Sequence, residues 1–276
     1  MKLYKKGPMA IVEFEGQCYQ SKQDWNALIN RPKLFAYLKA QLPIWQTIDH
    51  FDTENLDVPI GQQEVWASGV TYLRSKTARM EESKDAGGGD FYDRVYDAPR
   101  PELFFKAMPN RVIGPMGTVN IRKDSTWNVP EPELTLFISS AGTIEGYTVG
   151  NDMSSRSIEG ENPLYLGQAK VYDGSAALGP CLFVTDNPIP GNTAITLAIF
   201  RAQQKIFEET IEINQIKRAF TELVDYLYLS TTFPNGCFLM TGTGIIPPDE
   251  FSLLEGDEVR ITIDHIGTLI NSVGIR

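Results

Sequence analysis

Leu134, Leu136 and Ile138 alternate with Glu133, Thr135 and Phe137, the period-two pattern of a β-strand whose two faces differ. Short runs of this kind recur from Glu64 onward, cut by Gly and Pro turns: Val112–Ile113, Leu134–Ser139, Tyr147–Val149, Leu182–Thr185, Ala194–Ala202, Cys237–Thr241 and Val259–Ile263. One helix stands out among them, Gln215–Leu229, with Ile216, Phe220, Leu223 and Leu227 along one face. Residues 1–63 read differently. Strands at Ala10–Phe14 and Cys18–Tyr19 precede a helix over Arg31–Lys39, N-capped by Asn30, with Leu34, Phe35 and Leu38 on one side and Pro43 ending the pattern. The polar stretch Thr53–Gly61 reads as a linker. The sequence therefore predicts an α+β chain with a small α+β N-terminal domain, residues 1–63, and a strand-rich domain, residues 64–276. Glu81–Asp90, charged, glycine-rich and without a phosphate-loop lysine, reads as a mobile loop with the character of a lid.

Composition narrows the function classes. No run of about 18 apolar residues is present, so no membrane span is expected. The start, Met1–Pro8, lacks the apolar segment of a secretion signal, which makes the cytoplasm the expected location. The three cysteines, Cys18, Cys181 and Cys237, are odd in number and widely spaced, as reduced intracellular thiols are. With only His50 and His265, a histidine-rich metal site is excluded. A formal net charge of −10 argues against nucleic acid and anionic membranes as partners, but not against a small anionic substrate in a locally basic site.

The candidate chemistry lies in three carboxylates. Glu131 and Glu133, two apart on the predicted strand, point to one face, and Asp152 follows in Gly150–Arg156. Oxygen-only ligation suits Mg²⁺, with Mn²⁺ or Ca²⁺ as alternatives, and fits zinc poorly. Three carboxylates fill half an octahedral shell and leave places for water and a chelating substrate. The competing reading is a solvated strand edge, since Pro130 and Pro132 cannot donate to a ladder.

With these residues placed, about residues 64–274 resemble the fumarylacetoacetate hydrolase superfamily. The matching pieces are Gly69–Tyr72, Pro101–Lys106, Pro130–Leu134, Gly146–Arg156, Gln168–Lys170, Leu178–Pro180, Thr241–Gly244 and Gly256–Val259, in the family's order. The resemblance implies a mixed β-roll, a divalent metal, a small-molecule 2-oxo acid or diketone substrate, and a homodimer or higher homo-oligomer. Hydrolytic members that cleave carbon–carbon bonds carry a histidine where this chain has Ser75, and serine is no substitute for imidazole as a base near neutral pH.

The wording Ser154–Leu166, with Glu102 in Pro101–Lys106, is similar to the branch that dehydrates 2-keto-3-deoxy sugar acids, such as 2-keto-3-deoxy-D-arabinonate to 2,5-dioxopentanoate. For such a dehydratase, a metal on Glu131, Glu133 and Asp152 would stabilise an enolate. Lys170 is then the candidate base at C3 or, alternatively, a clamp on the substrate carboxylate. Glu102 is the candidate acid at the C4 hydroxyl. Tyr72, Arg74 and Thr243, with the backbone of Thr241–Gly244, are candidates for substrate binding, and Arg156 either braces Asp152 or touches substrate. Two other functions stay open: an acylpyruvate or diketo-acid hydrolase, and a non-catalytic oxo-acid binding protein.

Overall fold

The computed structural model describes residues 1–49, 51–53, 55–82 and 94–276, with the side chains of 78–82 left aside. His50 and most of the Glu81–Asp90 segment lie outside the described residues.

Strands dominate, in two sheets. The larger, of 11 strands, runs β4 (Gln46–Ile48), β3 (Gln17–Ser21), β2 (Met9–Phe14), β1 (Lys2–Lys6), β11 (Ala176–Phe183), β10 (Ile144–Ser155), β9 (Asn128–Ile138), β14 (Cys237–Met240), β5 (Glu64–Gly69) and β6 (Glu102–Ala107), with β7 (Val112–Ile113) paired to β11. The second, of 5 strands, runs β13 (Gln204–Glu212), β12 (Ala194–Arg201), β15 (Glu258–Ile263), β16 (Gly267–Ile275) and β8 (Thr118–Ile121). Parallel pairs, β14 with β5, β11 with β7 and β16 with β8, occur among antiparallel ones, so the expected mixed architecture with few helices is borne out.

Apolar alternation decides the packing. Leu134, Leu136 and Ile138 of β9 join Leu197, Ile199, Ile261 and Ile263 of the second sheet in one core. On the other face, Phe137 and Phe238 join Leu28 and Ile29 of helix α1 (Trp25–Ile29) and Leu34 and Leu38 of helix α2 (Leu34–Gln41). The prolines of Val129–Leu134 do not mark a solvated edge, for every residue of β9 is buried. They fall where β9 keeps β10 on one side only, because the pairing with β14 stops at Thr135, and a residue without an N–H is tolerated there.

Residues 1–63 continue the large sheet through the β1–β11 pairing. Within the predicted linker, Asp57 donates its N–H to the Lys5 carbonyl at 2.9 Å and the Lys5 ammonium donates to the Ile60 carbonyl at 2.5 Å, which fastens that stretch to β1. Asn30 caps the C-terminus of α1 rather than the N-terminus of the next helix, and its side chain is spent on tertiary bonds: it donates to the Pro234 carbonyl at 2.8 Å and accepts from the Ser140 N–H at 2.7 Å. Arg31–Lys33 is therefore not helical, and α2 starts only at Leu34.

Further helices among the described residues include α3 (Leu73–Glu82), α4 (Arg156–Glu161), α5 (Leu166–Lys170) and α6 (Phe220–Tyr228). The helix expected over Gln215–Leu229 is shorter than its apolar pattern. Ile216 packs on the core from an extended residue, and Lys217 donates its N–H to the Thr71 carbonyl at 2.9 Å instead of to a helical turn.

Candidate active site

The register of β9 against β10 builds the site. Glu131 and Glu133 share a face, Asp152 stands directly opposite Glu131, and Gly150 stands opposite Glu133. One oxygen from each carboxylate falls within 4.8 Å of the others, and all three side chains are buried. Burial first, then the like charges of Asp152 and Glu131, push the Glu133 carboxyl well above the usual carboxylate range. The three converging donors are hard oxygens, so the residues fit a divalent ion such as Mg²⁺.

The Thr241–Gly244 turn meets this cluster from the end of β14. Gly242 donates its N–H to Glu133 Oε2 at 2.6 Å. The residue sits at φ +90°, and a Cβ there would run into the Thr71 hydroxyl, so only glycine brings that N–H so close. That N–H, which the sequence offered to a substrate anion, is thus directed at a protein carboxylate. Thr243 lines the pocket, and its hydroxyl is engaged with the Ile245 backbone at 3.2 Å.

Three buried cations answer the carboxylates. Lys170, at the end of α5, donates from Nζ to Glu131 Oε2 at 2.6 Å, Asp152 Oδ2 at 3.1 Å and Ser154 Oγ at 2.5 Å. Arg156, at the start of α4, donates from Nη2 to Glu131 Oε1 at 3.1 Å. Its brace is on Glu131 rather than on Asp152. Lys106 of β6 places Nζ 2.5 Å from Asp152 Oδ1 and donates to the carbonyls of Met153 and Lys170 at 3.0 and 2.5 Å. Burial lowers the Lys106 pKa, against the pull of Asp152.

Sequence reasoning used Lys106 only as part of a longer motif, although a lysine closing the apolar run Leu103-Phe104-Phe105 is itself a signal, since a buried lysine is nearly always paired. Glu159 is equally buried, with Oε1 3.5 Å from Lys170 Nζ. Nothing in its polar neighbourhood, Ser157–Asn162, marks it out.

The remaining wall comes from β5, β6 and the start of α3. Glu102 pairs with Gly69 across the β5–β6 ladder, and a Cβ on Gly69 would collide with Glu102 Oε2. The missing side chain lets the Glu102 carboxylate lie over Gly69, which lines the pocket with Ser68, Val70, Ser75 and Phe104. Val70, β-branched, adopts φ +53°, a left-handed conformation that is costly for such a residue.

Tyr72 is buried, and its hydroxyl has no hydrogen-bond partner among the described residues. Burial and the Glu133 charge keep that phenol protonated. Ser75 donates to the Tyr72 carbonyl at 2.7 Å and accepts the Tyr72 N–H at 3.2 Å, so its hydroxyl holds the first turn of α3. Arg74 is not brought to the pocket: its guanidinium pairs with Glu209 and donates to the Ile246 carbonyl at 3.0 Å.

Residues 65–274 match the fumarylacetoacetate (FAA) hydrolase C-terminal family. The chain belongs to this family. Among its relatives, the probable 2-keto-3-deoxyxylonate dehydratase of Haloferax volcanii is 47% identical over 227 residues, 82% of this chain and 77% of that protein. The 2-dehydro-3-deoxy-D-arabinonate dehydratase of Saccharolobus solfataricus is 43% identical over 217 residues, 78% of this chain and 73% of that protein. A solved structure of 2-keto-3-deoxy-D-arabinonate dehydratase, complexed with magnesium and 2,5-dioxopentanoate, superposes with a TM-score of 0.87 at 34% identity, covering 100% of this chain and 99% of that one.

Proposed function

We propose that this member of the fumarylacetoacetate hydrolase family is a Mg²⁺-dependent hydro-lyase that removes water from a 2-keto-3-deoxy sugar acid, such as 2-keto-3-deoxy-D-arabinonate, to give 2,5-dioxopentanoate. The observation that carries this reading is the junction of Lys170 with two of the three clustered carboxylates, in a chain 43% and 47% identical to dehydratases named for such acids. Glu131, Glu133 and Asp152 would hold the metal, which when bound draws charge from the 2-oxo group and acidifies C3.

The chain's own residues supply the rest. Lys170 Nζ accepts the C3 proton, the freed electron pair forms the C3–C4 double bond, and the C4–O bond breaks. Glu102 protonates the departing hydroxyl, which leaves as water. Transfer of a proton from C5 to C3 then gives the 4-en-5-ol, and passage of its O5 proton to C4 gives the 5-aldehyde, so that substrate minus one water equals product. Thr243 completes the wall around the substrate, and the buried Tyr72 hydroxyl behind it is the further group offered to substrate. Arg74 supports that wall indirectly, by tying α3 to β13 and to the Ile246 carbonyl. Ser75 is committed to the Tyr72 backbone, which disfavours the hydrolase alternative.

Every residue given a role lies within 64–276, which supports reading that stretch as the catalytic unit and 1–63 as its accessory segment. The three free cysteines support a reducing, cytoplasmic setting. Among the described residues no helix is long and apolar enough to cross a membrane. A homodimer or higher homo-oligomer, the assembly the family resemblance implies, is checked by light scattering.

The functional test offers 2-keto-3-deoxy pentonates and hexonates with Mg²⁺ or Mn²⁺ and reads dioxo product and pyruvate in parallel. Dioxo product without pyruvate is expected. Pyruvate as the main product would favour carbon–carbon cleavage, and tight binding without turnover would leave an oxo-acid binding protein.

A further inference from the structure

Gly69 faces Glu102 at the end of the β5–β6 pairing. A Cβ built on Gly69 would lie 2.0 Å from Glu102 Oε2 and 2.6 Å from its Cδ, far inside ordinary contact. The φ of Gly69 lies outside the left-handed region and the residue is part of a strand, so its backbone suits alanine equally well. Space alone calls for glycine.

Neither strand is free to step aside. Two residues after Gly69, the Thr71 hydroxyl donates to the Thr241 carbonyl at 2.7 Å. The chain that enters β6 is held by Arg218, which donates to the carbonyls of Ala98 and Pro99 at 2.6 and 3.2 Å. A side chain at residue 69 would therefore displace the Glu102 carboxylate rather than the backbone.

The place of that carboxylate matters chemically. Glu102 and Phe104 alternate onto one face of β6, and the Phe104 ring, which lines the pocket, has its centroid 5.8 Å from Lys170 Nζ. Glu102 continues that row, its Cα about 7 Å along the strand from that of Phe104. Gly69, under its carboxylate, lines the same pocket. One strand thus spaces the proton donor from the base, and the bare backbone of Gly69 gives the donor its seat.

We infer that Gly69 is a positioning residue: its empty Cβ position holds the Glu102 carboxylate at the edge of the pocket, where the C4 hydroxyl departs. Gly69 therefore governs expulsion of the hydroxyl and not removal of the C3 proton. This assignment rests on the reading of the site as that of a 2-keto-3-deoxy acid dehydratase with Glu102 as its proton donor.

Aspartate at position 102 supplies the decisive control. Its carboxyl carbon falls about where glutamate has Cγ, and Glu102 Cγ is 3.4 Å from the added Cβ, an ordinary contact. Wild type, Gly69→Ala, Glu102→Asp and the double variant are offered 2-keto-3-deoxy pentonates and hexonates with Mg²⁺, reading dioxo product and, in deuterated water, exchange at C3. Gly69→Ala should form product about 10²-fold more slowly, the scale of a lost general acid, with exchange near the wild-type rate. Glu102→Asp alone should lose less, and adding Gly69→Ala to it should cost little more. The double variant should thus outpace Gly69→Ala by about tenfold, a coupling of the size found between touching residues.

Product formation at the wild-type rate in Gly69→Ala overturns the assignment. So does loss of product and exchange together, or a raised KM, that Glu102→Asp does not relieve, since a residue that merely packs or leaves room for substrate acts whatever stands at 102. If Gly69→Ala fails to fold, the double variant decides: folded and as active as Glu102→Asp, it supports the assignment; unfolded, it overturns it. Wild type that forms no dioxo product fails the functional reading, and the assignment falls with it; an active wild type with the adverse results fails the assignment alone.

Discussion

On one face of β9, Leu134, Leu136 and Ile138 pack against the second sheet; on the other, Glu131 and Glu133 stand beside Asp152 of β10. Both faces are buried, yet they are held by different physics. The apolar face needs area and volume, which many combinations of side chains supply. The charged face needs each oxygen to meet a particular partner, because a buried charge left alone costs far more than the contact it loses. The first face should therefore govern stability and the second chemistry, and substitutions can separate them.

The sharpest separation is at the metal carboxylates. Chelation should abolish turnover and Mg²⁺ should restore it, while Glu133→Gln or Asp152→Asn should lose metal binding, read by calorimetry, with little change in circular dichroism. Unfolding of these variants would mean that the ion is structural. Next in size are Lys170→Met and Glu102→Gln, each expected to lower turnover about 10²–10⁴-fold if both move protons. They should part company in deuterated water. Lys170→Met should stop exchange at C3, whereas Glu102→Gln should keep exchange and fail to expel the hydroxyl; normal exchange in Lys170→Met with a raised KM would make Lys170 a carboxylate clamp.

Leu136→Ala inverts the pattern. A fully buried leucine cut to alanine should cost about 2–5 kcal/mol in denaturant unfolding, while turnover per folded molecule stays near wild type. Loss of activity at full folding would show that the two faces are coupled. The smallest effect is expected of Ser75→Ala, which removes the bonds to Tyr72 and should cost about 1 kcal/mol with dehydration largely intact. A large fall in turnover with an unchanged fold would instead point to covalent catalysis by Ser75.

The same contrast explains what could be read in advance. Period-two alternation located β9 and put Glu131 and Glu133 on one face, and the wording Gly150–Arg156 added Asp152; that Asp152 stands opposite Glu131 shows only in the register of β9 with β10. Lys170 and Glu102 came from motif resemblance. Arg74 was legible as a charge near the motif but not in its direction, because its partners, Glu209 and Ile246, lie far along the chain. Asn30 and the predicted start of the 215–229 helix failed for the same reason: tertiary hydrogen bonds outweighed local propensity. Lys106 had a local signal, the apolar run it closes, but its partner Asp152 lies far along the chain, and Glu159 sits in a polar stretch that does not set it apart.

Val70 carries a consequence for anyone who would engineer this protein for heat tolerance. Its left-handed backbone marks the position where design rules would first install glycine or asparagine. Its side chain is also part of the pocket wall, so the substitution that relaxes the chain enlarges the cavity beside the Glu102 carboxylate. Durability and substrate fit are thus set against each other at a single residue, and a library that varies Val70 while holding Gly69 and Glu102 fixed would trace that exchange directly.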